Sequence, residues 1–194
     1  MKAAVRDIDL VKRLQVTGKS FFTIADLGKV TGLERESLYV ALSRWIEKGV
    51  LERAGRGIYL IPGAGTLPES IAGQLYFPCY LGFESALSRL GILNLVPYAL
   101  SFATPRKTKT LELSGRTVNY RQLKEELFFG FGLGEGYYIA EAEKALLDLV
   151  YMHVLGRSAL PVEELNLKSL LRTRLREYAR RFPPAVSIAV GRML

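Results

Sequence analysis

The spacing of apolar residues changes from a helical to a strand-like period near residue 50. Within residues 7–16, DIDLVKRLQV, the residues Ile8, Val11 and Leu14 recur at helical intervals and predict a short amphipathic helix. Thr23 is a suitable N-cap for a second helix striped by Ile24, Leu27 and Val30, and Gly32 can take the left-handed conformation that ends one. In LERESLYVALSRWIEKG, the residues Leu38, Ala41, Leu42, Trp45 and Ile46 share one face before Gly49 stops the run. The next stretch, VLERAGRGIYLIP, reads as strand, turn and strand. Gly55 and Gly57 permit positive φ, and Ile58, Leu60 and Ile61 suit a pleated surface. Three short helices followed by a hairpin make a winged helix-turn-helix, which we place at residues 1–66.

A Pro- and Gly-rich stretch, PGAGTLPES at residues 62–70, then breaks the pattern. Beyond it, ESIAGQLY and GFESALSRLGI predict two helices. YALSFATP, TKTLELSGRTVNYRQL and LFFGFGLGEGYYIA predict strands broken by turns, with SGR as a hairpin turn. EAEKALLDLVYMHVLG predicts a long helix, and PVEELNLKSLLRTRLREYARRF a further helical stretch ended by Pro183 and Pro184. The expected fold class is therefore α+β: an N-terminal winged helix-turn-helix, then a mixed α/β domain over residues 67–194.

Placing Leu38, Leu42 and Trp45 inward turns Arg35, Ser37, Tyr39, Val40, Ser43 and Arg44 outward, together with Glu36 and Glu47. A solvated face would look the same. Behind a second helix and a tight Gly turn, however, such a face is what a recognition helix presents to the major groove. Arg35 and Arg44 are the candidates for bidentate guanine contacts, and Arg53 and Arg56 on the wing for phosphate or minor-groove contact.

Charge supports this reading only weakly. The chain of 194 residues carries 27 Lys plus Arg against 19 Asp plus Glu, a formal charge of +8 and a sequence pI of about 9.6, which favours an anionic partner. Residues 1–66 hold 11 basic and 7 acidic side chains, only slightly above an even share of the excess. The single cysteine, Cys79, excludes an intramolecular disulfide framework and reads as a small core residue in a reducing compartment. The charged start, MKAAVRDIDLVKRL, lacks the apolar run of a signal peptide, and no stretch of 18 apolar residues occurs. The expectation is a soluble, cytoplasmic protein with no membrane partner.

The chemistry of an enzyme is sparse. One histidine, His153, and one cysteine cannot build a His/Cys metal cluster or a placed Ser/His/Asp set. GFGLGEG lacks the third Gly of a dinucleotide fingerprint and the Lys-Ser/Thr of a phosphate loop. Glu141, Glu143, Lys144 and Asp148 have the composition of a metal-dependent nuclease cluster, yet Glu141, Lys144 and Asp148 share one helix face, where ion pairing accounts for them. No catalytic residue, cofactor or metal ligand is expected. Residues 168–181 set Lys168, Arg172, Arg174, Arg176, Arg180 and Arg181 against Glu177 alone, either a solvated face or a second anionic contact.

Three features together resemble the short form of the AbiEi antitoxins of type IV toxin–antitoxin systems: GVLERAGRGIYLI, YLGFESALSRLGIL followed by FATPRKTKTL, and FFGF…YIAEAEKALLDLVY. The resemblance spans roughly residues 10–155. It departs at Ala142, where the family often has Pro. It implies a repressor that binds operator DNA through its N-terminal module and counteracts a cognate nucleotidyltransferase toxin through its second domain. A homodimer stays open. Two alternatives remain beside it: a plain winged-helix regulator whose second domain senses a ligand or dimerises, and a metal-dependent nucleic-acid enzyme.

Overall fold

The computed structural model describes residues 7–194. Residues 1–6, part of the stretch read against a signal peptide, lie outside the described residues. The chain is mixed α+β and divides into two compact units: Met1–Ile71 with Glu112–Gly115, and Ala72–Leu111 with Arg116–Leu194.

The first unit opens with α1 (Asp7–Val16), β1 (Phe22–Thr23), α2 (Ile24–Thr31) and α3 (Arg35–Glu47). A capping box starts α2. Thr23 accepts from the Asp26 N–H while the Asp26 carboxylate accepts from the Thr23 N–H at 2.9 Å, so two backbone donors of the first turn are satisfied. Gly32, at φ 67°, ends that helix in the left-handed conformation and sends its N–H back to Gly28 O. The wing strands β2 (Glu52–Gly55) and β3 (Ile58–Leu60) are antiparallel, and β1 adds to β3 to give the order β1-β3-β2. That third strand escapes the sequence pattern because it is two residues long. The core gathers Leu10, Leu14, Phe22, Leu27, Leu38, Leu42, Trp45, Leu51 and Tyr59.

The two wing glycines have different reasons to be glycine. Gly57 takes φ 74° in the turn. Gly55 does not need a positive φ, but a Cβ there would lie 2.8 Å from Glu112 O, and Ser114 N–H donates to Ala54 O beside it. Close backbone approach therefore holds that position.

The second unit takes over within α4 (Pro68–Leu75) and continues through β4 (Tyr80–Leu81), α5 (Phe83–Arg89), β5 (Leu100–Thr104), β6 (Lys109–Leu113) and β7 (Arg116–Gln122). After these come β8 (Phe131–Leu133), β9 (Tyr138–Ala140), α6 (Ala142–Val154), α7 (Arg172–Ala179) and α8 (Pro184–Gly191). Its six-stranded sheet runs β6-β7-β5-β4-β9-β8, with β4 parallel to β9 and β5 parallel to β7. Ser114 and Gly115, at φ 48° and 75°, form the turn expected at SGR, both residues adopting the positive φ of a type I′ hairpin. Helix α6 packs on α5, α7 and α8.

Two expectations shift here. Residues 161–182 do not form one helix: two short 3₁₀ turns precede α7, and Leu171 is exposed. Helix α7 stops at Ala179, before the Pro183–Pro184 pair, and the pair begins α8 instead, because a proline in the first helical turn removes only an N–H that has no partner there.

Candidate nucleic-acid interface

Helix α3 buries Leu38, Ala41, Leu42 and Trp45 and leaves Arg35, Glu36, Ser37, Tyr39, Val40, Ser43, Arg44 and Glu47 exposed. Ile46, expected on the buried side, is exposed as well. It sits at the edge of the apolar stripe and faces the wing. An open groove of about 560 Å³ runs between α3 and the wing, lined by Tyr39, Ser43 and Ile46 from the helix and by Arg53, Arg56 and Tyr59 from the hairpin.

Four of the expected contact residues thus come together: Tyr39, Ser43, Arg53 and Arg56. Ile46 and Tyr59, which line the same groove, carry no sequence signal that separates them from core residues. Arg53 is held over the wing, its Nε donating to Gly55 O at 3.3 Å, and Ser43 Oγ donates to Tyr39 O at 3.2 Å. Arg56 extends from the turn, exposed.

The other four do not line that groove. At 3.6 residues per turn, Arg44 stands about 140° round the helix from Tyr39 and about 180° from Arg35. Ser37, Val40 and Arg44 fall on the flank away from the wing, whereas Arg35 shares the wing-side flank with Tyr39. The two arginines paired in the sequence reading as guanine readers thus occupy opposite flanks. Val40 is 76% exposed, an isolated methyl-bearing side chain in the middle of the solvent face.

The carboxylates of α6 are already occupied. Lys144 and Asp148 form an ion pair one turn apart with both side chains fully buried; the ammonium also donates to Tyr80 Oη at 2.8 Å, and Tyr80 donates to Asp148 Oδ2 at 2.7 Å. Burial pushes Asp148 up and Lys144 down, and each opposes the shift of the other. Glu143 accepts the Leu171 N–H at 2.7 Å, while Glu141 accepts from Tyr178 Oη and pairs with Arg174. The ion pairing expected on this helix exists between Lys144 and Asp148, but it is core, and Glu141 turns to α7 instead. Among the described residues no group of three or more His, Cys, Asp or Glu side chains is placed to share a metal ion. Cys79 is buried, its thiol pushed up to about 12 by desolvation, and His153 is exposed with Nδ1 3.1 Å from Ser158 O.

Compared with known families, residues 9–62 match the model described as a transcriptional regulator, AbiEi antitoxin. The match runs from within α1 to just past the wing and coincides with the family that the sequence motifs resemble. No curated protein matches the chain. Among the described residues no helix is long and apolar enough to cross a membrane.

Proposed function

Starting from that match, we propose that this protein is a cytoplasmic DNA-binding repressor and antitoxin that acts on its own operon and counteracts a cognate nucleotidyltransferase toxin. The observation that carries the DNA-binding half is the groove between α3 and the wing, where two arginines and three hydroxyl-bearing side chains line one channel. In this reading the channel grips a phosphate strand through Tyr39, Ser43, Arg53 and Arg56, with Arg35 reaching the same strand from the helix start. The far flank meets base edges. Arg44 is the bidentate guanine reader, Ser37 a hydrogen-bonding neighbour, and Val40 an apolar contact of the kind a thymine methyl accepts.

Residues 1–66 then form the DNA-binding domain and residues 67–194 the domain that neutralises the toxin. If two modules on one operator neutralise about eight phosphates, log affinity falls with log salt at a slope of roughly −7. The test has two arms. Mobility shifts on DNA upstream of the reading frame should show the steep slope, and a salt-independent affinity overturns the docking. Co-expression of the neighbouring toxin with residues 1–66 or 67–194 should restore growth only with the latter, and rescue by 1–66 alone overturns the division of labour.

One observation favours a second reading, a regulator whose second domain senses an anionic ligand. An open groove of about 390 Å³ between α7 and α8 is lined by Arg172, Arg176 and Arg180 on one wall, with Leu175, Ala179 and Val190 among its apolar groups. Full repression without any effect on toxin-arrested growth selects this reading over the antitoxin.

A further inference from the structure

A second basic surface in the Ala72–Leu194 part of the chain combines cations with a fixed, exposed aromatic ring. The segment Thr104–Lys109 is fastened to Tyr76–Pro78 by three hydrogen bonds and braced by a fourth within itself. Thr104 Oγ1 donates to Pro78 O at 2.8 Å and accepts the Arg106 N–H at 3.2 Å; Arg106 Nη1 donates to Phe77 O at 2.9 Å, and Tyr76 Oη donates to Lys107 O at 2.9 Å. The Arg106 guanidinium lies 4.1 Å and the Lys109 ammonium 5.0 Å from the Tyr76 ring centroid. These contacts pin the backbone of Phe77 while its side chain points to solvent, 60% exposed and 6.4 Å from the ring of Tyr138. Among the described residues no carboxylate pairs with Arg106, Lys107 or Lys109.

We propose that this patch binds single-stranded nucleic acid, with an unpaired base stacked on Phe77 and the adjoining phosphates held by Lys107 and Lys109. An exposed aromatic ring at a rigid position costs hydration and adds nothing to the core. It gains a partner only from another flat apolar face, and three unneutralised cations beside it require that partner to be anionic. Stacking platforms next to basic side chains bind single strands in this way. A duplex does not satisfy the geometry, because its bases are already stacked on one another and only its phosphates are offered. The occupant is therefore an unpaired strand, and the site shares no residue with the duplex channel of α3 and the wing.

The test uses the full-length protein with fluorescein-labelled 12-nucleotide oligo(dT) and oligo(rU) and a 20-base-pair random duplex, read by anisotropy over a salt series. The wild type should bind at least one of the oligonucleotides with a salt slope of about −1.4, as two phosphate contacts on a single strand give. Phe77→Ala should weaken that binding about tenfold, from the loss of one base–aromatic stack, and leave duplex affinity within twofold. Phe77→Trp should keep it, and Lys107→Ala with Lys109→Ala should flatten the slope. Arg56→Ala serves as the duplex control and should leave oligonucleotide binding unchanged. The proposal is overturned if the wild type binds neither oligonucleotide, if Phe77→Ala binds as well as the wild type, or if Arg56→Ala loses single strands as much as Phe77→Ala does. Duplex affinity is read independently, so failure of the operator reading would leave this result interpretable.

Discussion

Helices α3 and α6 are both 13 residues long, and both start from a glutamate that provides no side-chain cap. Their charged residues nevertheless meet opposite surroundings. Helix α3 buries four residues and keeps its arginines in water, whereas α6 buries ten, including Glu143, Lys144 and Asp148. The difference lies in what is packed around them. Helix α3 touches its module on one stripe, so its opposite face remains available to a ligand. Helix α6 is enclosed by α5, α7 and α8 and by the rings of Tyr80, Phe129 and Phe182, the last two with centroids 5.0 and 5.2 Å from the Lys144 ammonium. The i and i+4 spacing of Lys144 and Asp148 is that of an ordinary solvated helix pair, yet here the pair is a core element, and spacing alone does not distinguish the two.

Removing a charge should separate the two helices most sharply. Asp148→Ala leaves the Lys144 ammonium buried without its counter-ion and should cost about 3–5 kcal/mol in urea unfolding. Replacing both partners by apolar residues, Lys144→Met with Asp148→Leu, should recover most of that loss, because the desolvation penalty disappears with the charges. On α3, Arg44→Ala should change stability by less than about 0.5 kcal/mol, as an exposed side chain outside the core does. A small effect of Asp148→Ala would mean that the pair is not sealed from water. The equivalent core test on α3 is Trp45→Ala, for which truncation of a fully buried ring should cost about 3–5 kcal/mol, enough to unfold an isolated 1–66 segment. Circular dichroism of that segment checks it, and a folded variant would contradict the packing.

Much of this contrast was legible in the sequence, though unevenly. The three helices and the wing of residues 7–60 are bounded by strong local signals: the Thr23 cap, the left-handed Gly32 and Gly49, and the Gly57 turn. Local chemistry decides such boundaries, so the pattern finds them. The strands β1 and β4, two residues each, are defined by their partners and offer no period to detect. The burial of Lys144 and Asp148 had a signal that periodicity alone misses: Ala145, Leu146, Leu147, Leu149 and Val150 surround them on every side, and a helix that is apolar all round lies in a core. At the candidate site, the pattern placed the polar positions of α3 outward as the structure has them, but it put Ile46 on the buried side and left the partition between flanks undecided. The partition depends on where the wing lies, which only the paired strands fix.

That partition yields a binding test with a smaller effect. Arg44→Ala should cost about 1–3 kcal/mol on operator DNA and little on a random duplex, while Arg35→Ala and Arg56→Ala should weaken both and flatten the salt slope by about one unit each. Titrations of the three variants on both duplexes over a salt series provide the comparison. Equal losses on operator and random DNA for Arg44→Ala would remove the far flank of α3 from base reading, and selective loss for Arg35→Ala would move it to the wing side.

The smallest predicted effect concerns how the helices start. Helices α3 and α6 have no side-chain cap, so their first turns rely on packing and water, whereas α2 has the Thr23 and Asp26 box. Partial burial by itself would raise the Asp26 carboxyl, but the ammonium of Lys19 at 2.5 Å and the N–H and hydroxyl of Thr23 more than offset it and hold the group at about 2, below the ordinary 3.8. Because the folded value lies below the unfolded one, the contribution of this carboxylate is complete above about pH 4 and is lost as pH falls through about 2. Asp26→Ala should cost about 1 kcal/mol at pH 6, in the range of a lost helix cap. The gap between wild type and variant should narrow at pH 3 and close toward pH 2, while the urea midpoints of Glu34→Ala and wild type should coincide at every pH, since Glu34 caps nothing. A gap for Asp26→Ala that persists unchanged at pH 2 would show that its ionised carboxylate is not what holds the start of α2.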